Sequence, residues 1–83
     1  MLKSLAEIVR EKIDSGILPR DQPVKLLAHE GHGEPCTACE QPIFASQIER
    51  EPQYEGRGPI RLHVGCHGVW EEERRRRGYR PKD

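Results

Sequence analysis

With 83 residues, of which 34% are hydrophobic and only 5% aromatic, the chain has room for one domain and a thin core. Burial alone would hardly offset chain entropy at this size, so a staple is expected, either a metal, disulfides or a partner. The 14 basic and 14 acidic side chains cancel. This balance excludes a whole-protein attraction to nucleic acid or to a membrane surface and leaves room only for a local one.

In Met1-Leu2-Lys3-Ser4-Leu5-Ala6-Glu7, charge arrives too early for a signal-peptide core, and no apolar run is long enough to span a bilayer. A cytoplasmic protein without membrane contact is the expectation. Leu2, Leu5, Ile8, Val9 and Ile13 form one stripe and predict an amphipathic helix over residues 2–15, stopped by Gly16. Pro19 to Pro23 reads as a turn, Val24 to Leu27 as a short extended piece, and His29 to Pro35 as an irregular loop. Residues 43–63 read as a hairpin, with strands at Gln47 to Glu51 and Ile60 to His63 and a turn around Gly56-Arg57-Gly58-Pro59. Pro52 should mark the end of the first strand or an edge. A helix follows through Val69 to Arg77 and ends at Gly78, with residues 79–83 as a disordered tail. One domain over residues 1–78 is the result, its finger at 34–77.

The count of three cysteines is odd, so they cannot all pair within the chain, and metal ligation is the better use for them. Cys36-x2-Cys39 lets both sulfurs reach one ion at about 2.3 Å from each. His63-x2-Cys66 supplies a second pair 23 residues later, on one side of an opening helical turn. Three thiolates and one imidazole suit a single structural zinc ion far better than magnesium or calcium. His67 competes with His63 for the fourth position. It lies one residue past Cys66, rotated about 100° on a helix, which favours His63.

Other combinations fail on spacing. His32-Gly33-Glu34 with Pro35-Cys36-Thr37-Ala38-Cys39 spells both halves of the zinc-deaminase signature, but without the chain that must separate two helix starts. His29-Glu30-Gly31-His32 is one residue short of H-E-x-x-H, so its imidazoles would not share a helical face. Four good ligands leave no open position for water, so no enzymatic activity is expected.

A knuckle, a hairpin and a helix carrying the second ligand pair resemble the treble-clef finger, and C-x2-C-x23-H-x2-C resembles the first half of a LIM domain. Cys36-Thr37-Ala38-Cys39-Glu40-Gln41-Pro42-Ile43 and Leu62-His63-Val64-Gly65-Cys66-His67-Gly68-Val69-Trp70 are also similar to a group of small bacterial zinc-binding proteins. That resemblance implies a small α+β zinc-stabilised domain, its N-terminal helix packed on the finger, with no established activity. Glu40 departs from the glycine that zinc knuckles often carry after the second cysteine. Arg10 to Pro19 resembles the opening helix and turn of a GntR-type winged helix, without a recognition helix after it.

Arg74, Arg75, Arg76 and Arg77 form the dense basic run. A nucleic-acid interface is one reading of it. Pairing of Glu71, Glu72 and Glu73 with the arginines four residues on is the simpler one. Trp70 is expected in the core against Ile48, Ile60 and Leu62. The functional expectation is a non-catalytic protein-interaction module, monomeric or dimeric through the first helix, with nucleic-acid binding as the alternative.

Overall fold

The computed structural model describes residues 2–78; the expected tail at 79–83 lies outside the described residues. Two helices and a three-stranded antiparallel sheet follow one another as α1 (Leu5–Asp14), β1 (Lys25–Glu30), β2 (Ile48–Gln53), β3 (Leu62–His63) and α2 (Val64–Arg76). The sheet order is β1-β2-β3.

Helix α1 starts three residues later than the hydrophobic stripe predicts. Ser4 caps it, its Oγ accepting from the Glu7 N–H at 3.2 Å while the Glu7 carboxylate accepts from the Ser4 N–H at 3.4 Å. This capping box leaves Leu2 outside the helix and fully exposed. Val9 and Ile13 are the residues of the stripe that reach the core. Gly16 ends the helix in the left-handed region at φ +86°.

The sheet is larger than a hairpin. The extended piece after Pro23 runs on to Glu30 and pairs along the whole of β2, Lys25 opposite Gln53 through Glu30 opposite Ile48. His29 and Glu30 therefore belong to a strand, and the irregular loop begins only after them. Strand β2 is central, with β3 reduced to Leu62 and His63 opposite Arg50 and Glu49.

Pro52 stands inside this central strand, buried, where an end or an edge was expected. Gly31 donates to the Gln47 carbonyl, and the alternation of an antiparallel ladder then makes Leu26–Pro52 a pair without mutual hydrogen bonds. The missing N–H of Pro52 thus faces the side of β3, where the ladder has already ended. Only Ile60 N–H reaches back to its carbonyl, at 3.5 Å.

Helix α2 crosses α1 and covers the sheet through Trp70, which is fully buried among Val9, Ile13, Leu18, Ile43, Ile60 and Leu62. Its indole N–H donates to the Pro19 carbonyl at 3.0 Å. Ile48, expected beneath it, lies at the far end of β2 and is half exposed. Ion pairs link the two helices at Arg10–Glu73 (3.2 Å) and Arg77–Asp14 (2.7 Å).

Trp70→Ala should cost about 3–5 kcal/mol, a large share of the roughly 5–10 kcal/mol that a domain of this size holds. Urea unfolding followed by far-UV circular dichroism should show most of the transition lost. A midpoint close to that of the parent chain would contradict the central place given to this side chain.

Candidate metal centre

Two separate stretches, residues 36–39 and 63–66, deliver four donors to one point. Cys36 and Cys39 sit on a tight turn in which Cys36 N–H donates to the Gln41 carbonyl (2.8 Å) and Glu40 N–H to the Cys36 carbonyl (2.9 Å). Glu40 takes the left-handed conformation at φ +65° that glycine would adopt without strain. The turn is tied to the chain entering β3 by Thr37 N–H donating to the Arg61 carbonyl at 2.7 Å and Arg61 N–H donating to Thr37 Oγ1 at 3.3 Å.

Helix α1 holds the other side of the turn. Lys12 Nζ donates to the Thr37 carbonyl at 2.7 Å and pairs with Glu40 at 3.0 Å.

His63 closes β3 and is the N-cap residue of α2, while Cys66 lies in the first turn of that helix. The four ligand atoms of Cys36, Cys39, His63 and Cys66 all lie within 4.8 Å of one another. Tetrahedral coordination with metal–sulfur distances of about 2.3 Å needs donors roughly 3.8 Å apart. Cys39 Sγ to His63 Nδ1 is 3.4 Å and Cys66 Sγ to the same nitrogen 4.0 Å. None of the three cysteines is in a disulfide. These residues are placed to hold a metal ion.

The imidazole is oriented for that task. His63 Nε2 lies 3.1 Å from the Pro42 carbonyl and donates to it, which leaves the Nδ1 lone pair facing the sulfurs. His67 goes elsewhere: it is buried edge-on against Trp70, with ring centroids 5.7 Å apart, and its Nδ1 lies 3.4 Å from Glu71. Burial pushes it below the ordinary histidine value.

Sulfur electrostatics also call for a cation. A hydrogen bond from the Cys66 thiol holds Cys36 down to about 4, and the Cys36 thiolate in turn pushes Cys66 up. A thiolate at Cys66 cannot form beside that of Cys36 without a compensating positive charge. The N-terminus of α2 supplies only part of one.

The chain matches no family model, no curated protein and no solved structure.

The arginine run is divided. Arg74 is buried, its guanidinium 4.0 Å above the Trp70 ring and donating to the Asp21 carbonyl at 3.2 Å. Arg77 turns to Asp14, whereas Arg75 and Arg76 share Glu72 at 2.9 and 3.7 Å on the exposed face. Of the expected i to i+4 pairs, Glu72–Arg76 and Glu73–Arg77 form, but Arg75 bonds Glu72 and Glu71 turns to His67.

Sequence reasoning missed three supports of the site, Lys12, Pro42 and the Ser4 cap. The cap alone had a local signal, Ser4 followed by Glu7. In a cobalt(II) titration, Cys36→Ser, Cys39→Ser and Cys66→Ser should each lower the thiolate charge-transfer absorbance by about one third, because one of three thiolate donors is gone. His63→Ala should weaken binding at least about 10-fold, and His67→Ala should leave both stoichiometry and spectrum unchanged.

Proposed function

We propose that this chain is a structural-zinc domain of treble-clef type that serves as a non-catalytic protein-interaction module. The observation that carries the reading is the convergence of Cys36, Cys39, His63 and Cys66 within 4.8 Å, a donor set that fills every position of a tetrahedral ion. Three sulfurs and an imidazole favour zinc over the oxygen-seeking cations. The first pair comes from a knuckle and the second from the opening of α2, which is the arrangement the treble-clef resemblance implies. With no position left for water, the ion acts as a staple between segments and activates nothing.

The interaction reading draws on the apolar side chains left in solvent. Phe44 is 57% and Ile48 49% exposed, on a turn pinned by Phe44 N–H donating to Gln47 Oε1 at 2.8 Å. Val24, just before β1, and Leu26 within it are exposed, and β1 is an edge strand of the sheet. An unpaired edge beside exposed apolar side chains suits an added strand from a protein partner. The divided arginine run leaves Arg75 and Arg76 for phosphate, so nucleic-acid binding is the weaker alternative.

Zinc binding should be close to a condition of folding, with apparent binding energies on the order of 10 kcal/mol in such domains. Removing it with a strong chelator should collapse amide dispersion in proton–nitrogen correlation spectra, and adding back one equivalent should restore it. Since three thiols of the unfolded chain must each lose a proton, apparent affinity should fall about 1,000-fold per pH unit on going down from pH 8 to about 6.5. A metal-free sample with the native spectrum would sink the structural assignment.

For the interaction, a photo-crosslinking residue at Phe44 in cells should give a discrete protein adduct that one at Glu55, on the opposite turn, does not. Adducts to nucleic acid at Arg75, with binding that weakens steeply as salt rises, would favour the alternative.

A further inference from the structure

Opposite His63 in the register stands Glu49, and opposite Glu49 on the other side stands His29. One row across the three strands thus reads His29, Glu49, His63. His63 is committed to the sulfur site through Nδ1 and to the Pro42 carbonyl through Nε2. Glu49 is left out of that arrangement. It is 1% exposed, yet neither carboxylate oxygen has a hydrogen-bond partner among the described residues. A buried carboxylate in that condition is costly unless a positive group stands against it.

The groups that do approach it are incomplete partners. Arg61 Nε comes to 3.7 Å of Oε2, outside hydrogen-bond distance, and His29 Nε2 comes to 3.4 Å of the same oxygen. His29 is also constrained from its other nitrogen, because Nδ1 lies 3.0 Å from the Glu30 carbonyl and donates to it. In the neutral ring the Nε2 lone pair then points at two carboxylates, Glu49 and, at 3.1 Å, Glu51. Lone pair against carboxylate is repulsive; the gap between them asks for a proton or a metal ion.

A third donor is brought in by the chain itself. Gly31 is buried where any Cβ would collide with the carbonyl oxygens of Ile43 and Phe44, so only glycine allows this close passage. The turn it permits folds His32 back until its ring centroid is 5.7 Å from that of His29. His32 is exposed and has no hydrogen-bond partner among the described residues.

We propose that His29, His32 and Glu49 form a second metal site, for a divalent first-row transition ion such as zinc, sharing no ligand with the cysteine site. The donor atoms of the three residues lie within 4.8 Å of one another, and coordination at about 2.1 Å requires separations of roughly 3 to 4 Å. The exposed His32 ring can supply the remaining movement by side-chain rotation alone. Two imidazoles and a carboxylate select a transition ion over calcium or magnesium. Three protein ligands leave at least one position for water or an exogenous ligand, unlike the closed four-donor site. The Glu30 carbonyl and then the Glu51 carboxylate hold His29 above its ordinary value, and His29 in turn holds Glu51 below its own, as expected of a place that attracts positive charge.

The test is zinc stoichiometry of the full chain by equilibrium dialysis at pH 7.5, with imidazole nitrogen shifts recorded on the same samples. The parent protein should take up two equivalents, the second moving the His29 Nε2 resonance. His29→Ala and His32→Ala should each take up one and keep the folded spectrum. Glu49→Gln should weaken the second equivalent at least about 10-fold, while His67→Ala should leave it unchanged. A parent chain that takes up, at up to millimolar zinc, no equivalent that moves the His29 Nε2 resonance would overturn the proposal and leave a proton on His29 as the compensating charge. Loss of the second equivalent in only one of the two histidine variants would overturn it equally, since it would mark binding at a lone surface imidazole. If the cysteine site is not a zinc site, all variants lose the same first equivalent and the difference between parent and variants still stands.

Discussion

The mutual repulsion of three sulfurs held against one imidazole is the constraint on which this small fold turns. Cys36 and Cys39 come from a knuckle and Cys66 from the first turn of α2, with His63 at the joint between β3 and that helix. Unless a cation stands among them, an ionised Cys36 opposes ionisation of Cys66. The ligand geometry therefore fixes the relation of knuckle, sheet and second helix at once. The hydrophobic core, ten buried side chains among the described residues of which three are cysteine or alanine, could not fix it as sharply.

Around that point the rest of the chain is attached by a few specific contacts. Lys12 carries the charge of α1 onto the knuckle through the Thr37 carbonyl and Glu40. Trp70 and Arg74 take the turn after α1 onto α2, through the carbonyls of Pro19 and Asp21. Both use backbone carbonyls of turn segments that have no ladder partner, which is how a chain poor in apolar residues orders its loops. Stacking of Arg74 over Trp70 adds a cation–π contact and covers the ring with aliphatic stem. The basic run is in this way partly structural.

The two clusters of potential ligands differ in kind. The cysteine cluster is complete and half withdrawn from solvent, its imidazole oriented by a carbonyl. The histidine and glutamate cluster is open on the side of His32 and built around a buried carboxylate without hydrogen-bond partners among the described residues. Both lie on the same face of the sheet, because Glu49 pairs in register with His63 on one side and His29 on the other. A closed site stabilises; an open one leaves room for chemistry or exchange.

By itself the sequence determined the three cysteines of the site and favoured His63 as their partner, because ligand pairs at x2 spacing are a local property of turn and helix. It also determined the two helices and the strand cores, through hydrophobic spacing and through Gly16 and Gly78, both at positive φ. What only the tertiary structure decided depends on pairing over distance. The continuation of the extended piece through residues 28–30, and the central position of Pro52, came from the ladder between β1 and β2. The choice of His63 over His67 rested on which ring the Pro42 carbonyl and the Trp70 face could each claim. His29 and His32 fail as a helical motif, being one residue short. On a strand followed by a glycine turn they converge on a glutamate almost twenty residues away, a meeting that register creates and that no local spacing encodes.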